Sequence, residues 1–404
     1  MKLPLKSLTF WIFAGLFLGI ICGEIFGESI VPFANALGDI FLKLLRMAIM
    51  PLIIASITSG VISVGGRKNL GMLGAKTFGY YICTSLLAIL TGQALVNILK
   101  PGVGSPIQIQ ETPENIAATE QSLGDILENI IPDNPFQSMA EGNVLQVIFF
   151  SILLGYFITL LKDPYQKQMS DFFAGLFNAL MKMVRFIIWT APLGVFGINA
   201  EIVATFGFEA FQSLGFYFVV VLIGLAIHFF ITLPLILIII TRKNPLHHYA
   251  GMLPALVTAF STCSTVVTLP LTMRAVTEHS KVSQKISSFV LPLGATVNMD
   301  GTALYECVAV IFIAQVAGFD LTFSAQFLIV ATALLASIGA ASVPMSGMVM
   351  MSIILGAVGL PLQWVALILP VDRVLDMFRT MVNVFSDSCG SVVVAKLEGE
   401  KVLE

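Results

Sequence analysis

Apolar residues run in stretches near the roughly 20-residue length that crosses a bilayer as a helix. They fall at about 8–27, 40–64, 72–99, 143–161, 173–200 and 215–241. Ten-residue segments of alternating polarity are absent, so the pattern predicts spanning helices and not a barrel. Beyond 242 the pattern turns irregular. The stretch from Tyr249 to Met273 is apolar, yet both flanks are basic: Arg242 and Lys243 before it, Arg274, Lys281 and Lys285 after it. Both ends therefore belong on the same side of the membrane. Its middle, Ser261-Thr262-Cys263-Ser264-Thr265 with Pro270 beyond, breaks a helix and satisfies the freed backbone groups. A re-entrant hairpin fits. A second hairpin reads from about Thr322 to Leu360, with its tip at Ala340 to Gly347. A span at 286–318 precedes it and a last span follows it. Hairpin plus span, repeated in opposite orientation, is an inverted repeat of the kind that places a binding site near the bilayer midplane. The predicted fold class is an all-α polytopic membrane protein with eight transmembrane helices and two re-entrant helical hairpins.

Composition supports that reading. Of 404 residues, 57% are hydrophobic and 11% charged, and the mean hydropathy is +0.93. A soluble domain carries about 25% charge, so the solvent for this surface is membrane lipid. The net charge of -3 comes with no basic patch, which argues against a nucleic-acid partner. Five scattered cysteines without a CxxC pair read as packing residues, and the four histidines form no i, i+4 pair for a metal. Lys2 and Lys6 precede the first apolar run without an evident cleavage site, so that run is expected to be retained. Arg67, Lys68 and Lys76, then Lys162 and Lys167, then Arg242 and Lys243 make alternate loops basic. Between Pro101 and Leu161 there is no Lys or Arg but there are seven acids: Glu111, Glu114, Glu120, Asp125, Glu128, Asp133 and Glu141. The expected placement is a multi-pass protein of the cell (inner) membrane with both termini cytoplasmic and the acidic loop outside.

The last span carries the strongest local chemistry, DRVLDMFRTMVNVFSD from Asp372 to Asp387. At 100° per residue, Asp372, Asp376, Arg379, Asn383 and Asp387 share an arc of about 80°. A charge at the bilayer centre costs at least about 2.5–3.5 kcal/mol, so such a stripe must face a protein-lined or wet cavity. A structural ion-pair network is the plain alternative. Arg379 offers a planar fork to a carboxylate. Asp376 suits an ammonium, Asn383 a second carboxylate, and Asp387 a small cation. In the span before, Asn298-Met299-Asp300-Gly301-Thr302 reads as a helix break with exposed carbonyls, which together with Asp300 suit a sodium site; a kink packed against glycine-rich neighbours is the plain alternative. Glu306 is a further intramembrane carboxyl, either a proton carrier or a permanently neutral core acid.

NMDGT at 298–302, DMFRTMVNVFSD at 376–387, the two hairpin tips and Asn134-Pro135-Phe136 together resemble the glutamate transporter family of dicarboxylate/amino acid:cation symporters, in its prokaryotic form. The resemblance covers nearly the whole chain. It implies a homotrimer working as an elevator. The scaffold would comprise 1–70 and, with the extracellular loop, 101–212; the transport domain would comprise 71–100 and 213–404. Position by position, it implies that Arg379 holds a substrate side-chain carboxylate beside Thr302. Asp376 would hold the amino group and Asn383 the main-chain carboxylate, with Thr380 lining the same pocket. Cys263 and Val343 would offer carbonyls, Thr265 a hydroxyl or amide, and Gly347 an amide. One sodium would take the carbonyls of Gly294, Asn298 and Asn383 with the Asp387 carboxylate; a second the carbonyls of Thr296, Ser337, Ile338 and Ala340; a third Tyr81, Thr84, Ser85, Asn298 and Asp300. Glu306 sits where proton-coupled members have their acid. The tips depart from the family pattern: Ser264-Thr265-Val266-Val267 replaces a run of serines, and Ser342, Met345 and Met348 intervene in a tip usually richer in Gly and Ala. The arginine that relatives carry at the Cys263 position, or just before the substrate arginine, is missing here unless Arg373 substitutes for it.

The expected function is secondary symport of L-glutamate or L-aspartate, coupled to sodium, with protons as a second candidate ion. A C4-dicarboxylate lacks the ammonium that Asp376 suits, and a neutral amino acid leaves Arg379 without a partner. An intramembrane aspartyl protease would need two facing aspartates, but its YD and GxGD motifs are absent. An anion channel remains as a side activity of such a carrier.

Overall fold

The computed structural model describes residues 8–65, 71–105, 131–141, 143–207, 210–339 and 346–403. Among them the regular structure is helical throughout. Arg67, Lys68, most of the acidic loop and the second hairpin tip, including Ala340 and Val343, lie outside the described residues. Four helical stretches among the described residues are long and apolar enough to cross a membrane: Phe10–Phe41, Met72–Leu99, Ser213–Thr241 and Gln284–Val316.

Two sets of helices pack around one continuous apolar core. In the first set, Leu8–Phe26 lies along Ala191–Phe206, and Val31–Gly65 lies against both Val144–Thr159 and Tyr165–Trp189. Glycines allow the closest of these approaches. A Cβ at Gly15, Gly19 or Gly23 would sit 2.3, 2.5 or 2.6 Å from the carbonyl oxygens of Pro192, Phe196 and Ala200. The apolar run expected at 173–200 is two helices rather than one. Pro192 has no N–H for the carbonyl one turn back, and the chain tightens at Thr190, whose N–H and hydroxyl both reach the Ile187 carbonyl.

The second set surrounds the last helix, Leu369–Leu397, which packs against Gly71–Leu99, the sixth span, both arms of the first hairpin and both halves of the broken span. The first hairpin is Leu246–Thr262 followed by Thr265–Glu278. Between its arms Cys263 takes a left-handed φ of 50°, and Ser264 caps the second arm by accepting from the Val267 N–H. The arms of the second hairpin are Phe323–Gly339 and Ser346–Ala357. The expected span at 286–318 is broken into Gln284–Val297 and Asp300–Val316, with Asn298 and Met299 non-helical between them. The break falls in the Asn-Met-Asp-Gly segment, and the Asp300–Val316 half is buried almost throughout. The sixth span, Ala210 to Thr241, carries a π-turn at His228–Thr232 immediately before Pro234. The Phe229 carbonyl within that turn accepts from the Tyr249 hydroxyl of the first hairpin.

Candidate functional site

The break in one helix and the polar stripe of another meet at the centre of the second set. All five stripe residues are buried, and Arg379, 1% exposed, is among the largest fully buried side chains described. Its Nη2 lies 3.1 Å from Asp372 Oδ1 and 3.0 Å from Asp376 Oδ1. Its guanidinium carbon sits 3.8 Å from the centroid of the Tyr305 ring, and the Tyr305 hydroxyl donates to Asp372 at 2.7 Å. Arg379 Nε and Nη1 are buried without a hydrogen-bond partner among the described residues. Nη1 is the end of the fork left for a charge-assisted contact to a carboxylate. Gly347 closes over it: a Cβ there would stand 2.6 Å from Nη1.

Asp376 is shared. Its other oxygen lies 3.2 Å from Arg373 Nη1, so Arg373 does reach the stripe from one turn away. The Thr380 hydroxyl donates to the Asp376 carbonyl of its own helix at 2.8 Å. Asn383 bridges to the broken helix: its Oδ1 accepts from the Gly301 N–H at 2.8 Å, and its Nδ2 donates to Thr302 Oγ1 at 3.1 Å. Arg379, Asp376, Thr380, Asn383 and Thr302 thus form one buried polar group. Cys263 is buried at the first hairpin tip, and the Thr265 hydroxyl there donates to the Ala295 carbonyl at 2.7 Å.

A second cluster lies on the other side of the break. Asp300 Oδ1 accepts from Ser85 Oγ at 2.6 Å and from Thr84 Oγ1 at 3.4 Å. Asn298 Nδ2 donates to Asp387 Oδ1 and to Ser386 Oγ, both at 3.0 Å. Hard, neutral and anionic oxygens in this density suit sodium. Tyr81, expected with Thr84 and Ser85, turns elsewhere: its hydroxyl donates to the Val290 carbonyl. It abuts Gly294, whose Cβ would lie 2.7 Å from that hydroxyl and 2.5 Å from Asp387 Oδ1. Gly294, Tyr81 and Asp387 are therefore one group, with Thr84, Ser85 and Asp300 beside it. Of the remaining expected ligands, Thr296 and Ser337 hydroxyls bond backbone carbonyls of their own helices, Leu293 and Leu334. Glu306 is fully buried, and neither carboxyl oxygen has a hydrogen-bond partner among the described residues.

A family model, the sodium:dicarboxylate symporter family, matches residues 8–397. The chain belongs to this family. It is 35% identical to excitatory amino acid transporter 3 of Oryctolagus cuniculus over 97% of this chain and 86% of that protein. It is 38% identical to excitatory amino acid transporter 3 of Homo sapiens over 90% of this chain and 79% of that protein. It is 35% identical to excitatory amino acid transporter 2 of Homo sapiens, covering 96% and 78%. A symporter family member of this kind is a transporter, not an enzyme, and the apolar helices make it a multi-pass membrane protein.

Three residues at the symporter's centre escaped the sequence reading. Tyr305 stacks on Arg379, Ser386 Oγ donates to Asp300 Oδ2 at 2.5 Å, and His228 Nε2 lies 3.1 Å from the same oxygen. Ser386 lies about 40° outside the stripe's starting residue by helix geometry, so a wider arc would have included it. His228 is an ionisable residue within an apolar span, which is itself a functional signal. Tyr305 left no signal of that kind.

Proposed function

We propose that this protein is a sodium-coupled symporter of acidic amino acids, L-glutamate or L-aspartate, working as an elevator within a homotrimer. The observation that carries the reading is the pair of unengaged donors of Arg379, buried beside Asp376 on the helix that also holds Asn383 and Asp387. A zwitterion with an extra carboxylate has one group for each: a carboxylate for Arg379, an ammonium for Asp376, a second carboxylate for Asn383. In the described state Asn383 and Asp376 are engaged internally, so substrate binding exchanges those contacts for its own. Sodium held by Asp300, Asp387, Asn298, Thr84 and Ser85 offsets the charge of the substrate and couples its binding to the ion gradient. Glu306 carries a proton in the same cycle. The names of the relatives, excitatory amino acid transporters, support the substrate class.

The scaffold is assigned to 1–70 and 101–212 and the transport domain to 71–100 and 213–404. The grouping of helices around the last helix supports this. The second hairpin is assigned as the outer gate, with Gly347, Val343 and Cys263 at the substrate. A second sodium is assigned to Thr296, Ser337, Ile338 and Ala340. Both termini are cytoplasmic by the distribution of basic loops.

One observation favours a second reading. Arg373 on Asp376 weakens the repulsion that a second carboxylate would otherwise meet, so C4-dicarboxylates are the alternative cargo. Purified protein in liposomes, given labelled aspartate or glutamate under sodium, proton, combined or no gradients, separates these outcomes. Sodium-driven accumulation that succinate does not compete supports the first reading. Competition by succinate turns it to the second, and proton-driven uptake without sodium overturns the ion assignment.

A further inference from the structure

The Asp300 carboxylate is surrounded by donors of two kinds. Ser85 and Thr84 on Oδ1 and Ser386 on Oδ2 are hydroxyls. A hydroxyl rotates, turning a lone pair instead of its hydrogen toward a cation that arrives beside the carboxylate. His228 is different. Its Nε2 lies 3.1 Å from Asp300 Oδ2, both side chains are fully buried, and its Nδ1 has no partner among the described residues. The tautomer follows from that geometry. A proton on Nδ1 would leave a buried donor unsatisfied and turn the Nε2 lone pair against a carboxylate oxygen, whereas a proton on Nε2 is hydrogen-bonded. His228 is therefore a fixed N–H donor to Oδ2, which no rotation removes.

The backbone makes this contact possible. Gly224, one turn before His228, faces the broken helix so closely that a Cβ would sit 3.1 Å from Leu304 Cδ2. His228 then opens the π-turn of the sixth span, a feature often found at functional sites. The close approach brings the imidazole to Asp300, and the turn is tied to the first hairpin through the Phe229 carbonyl and Tyr249 hydroxyl.

We propose that His228 is a positioning residue for the cation site at Asp300. It holds Oδ2 from the side away from Ser85 and so fixes the carboxylate plane, leaving Oδ1 to face the cation with Thr84, Ser85 and Asn298. Groups that orient a ligating carboxylate matter to metal affinity nearly as much as the ligands. The inference rests on the reading of Asp300 as a sodium ligand and goes one shell beyond it.

The test measures sodium binding to purified, substrate-free protein as the rise in Tm with sodium concentration, each variant referred to its own sodium-free Tm. His228→Gln places an amide N–H near the Nε2 position, while His228→Asn reaches only as far as Nδ1. The expected result is that H228N raises the half-saturating sodium concentration roughly 10–100-fold, that H228Q restores it, and that aspartate affinity at saturating sodium stays unchanged in both. H228N binding sodium like the wild type, or H228Q failing as far as H228N, overturns the proposal. Asp300→Asn serves as the control. If D300N weakens sodium binding and H228N does not, the cation site stands and the inference falls; if D300N changes nothing, both fall. The wild-type protein provides a check that needs no variant. Its His228 15N shifts should report Nε2–H with bare Nδ1, and the opposite tautomer would sink the idea.

Discussion

At the residue scale, the site is defined by which buried polar atoms are already engaged. Arg379 spends Nη2 on two aspartates of its own helix and keeps Nε and Nη1 open. Hydrogen bonds to charged groups contribute about 1.5–3 kcal/mol each. Arg379→Ala should therefore weaken acidic substrate binding by about 10–100-fold or more on that scale, measured as competition of labelled aspartate uptake. Intact aspartate uptake, with no gain of neutral substrates, would remove Arg379 from the substrate site. Glu306 stands apart from the ion cluster, buried and unpartnered among the described residues. Burying a charged carboxylate without a partner costs far more than burying the neutral acid, a setting suited to a group that crosses the membrane protonated. Glu306→Gln should abolish the response of uptake to an imposed pH gradient while sodium dependence persists. An unchanged response would leave Glu306 as a core acid.

At the element scale, two devices tie the last helix to its neighbours. One is the Asn298-Met299 interruption, which sends Asp300 toward the third helix, Gly71–Leu99, and frees Gly301 for Asn383. The other is the pair of hydroxyls that His248 joins, Ser280 at 2.7 Å and Ser388 at 2.9 Å, which fastens the first hairpin to the last helix beside Asp387. The first set of helices is held differently, by glycines in close backbone contact. Small residues are what membrane helices use where burial itself gives little drive. Gly19→Val would force a Cβ to within 2.5 Å of the Phe196 carbonyl. Overpacking of this kind costs about 1–3 kcal/mol, so Tm in detergent should fall by a few degrees. Gly74→Ala, with nothing within 4 Å of the added Cβ, is the control and should not lower it. Equal behaviour of the two would show that the helix contact contributes nothing.

At the scale of the whole molecule, a polar centre sits within the second set, while the first set packs through glycines in close backbone contact. The C-terminal end is stitched to that second set: Lys76 Nζ donates to the Leu397 carbonyl and to Glu398, the Ser283 N–H to Glu400, and the Leu403 N–H to the Ser280 carbonyl. The third helix, the broken helix and the last helix are thereby fixed to one another, which the proposed transport domain requires. The proposed elevator needs a stationary partner for its moving domain, which three copies of the 43.6 kDa chain would supply. Light scattering of the detergent-solubilised protein, corrected for bound detergent, should give a mass of three chains. A single-chain mass retaining full transport would refute the trimer as the working unit.

The sequence by itself determined the polar stripe, because the helical period alone places Asp372, Asp376, Arg379, Asn383 and Asp387 on one face. It also determined the break at Asn298-Met299 and the first hairpin turn at Cys263-Ser264, since both follow from local backbone chemistry. Glycine contacts and the division at Pro192 were only partly legible, the proline being visible and its effect on a long apolar run being easy to underrate. Tertiary structure alone decided the partners. His228 and Asp300 are 72 residues apart, Ser386 and Asp300 are 86 apart, and Tyr305 and Asp372 are 67 apart. Whether such groups meet depends on how far each helix is rotated about its axis and where a π-turn shifts its register. Those are properties of packing, set by the close approach of neighbours such as Gly224 and Leu304, and no periodicity within a single segment specifies them.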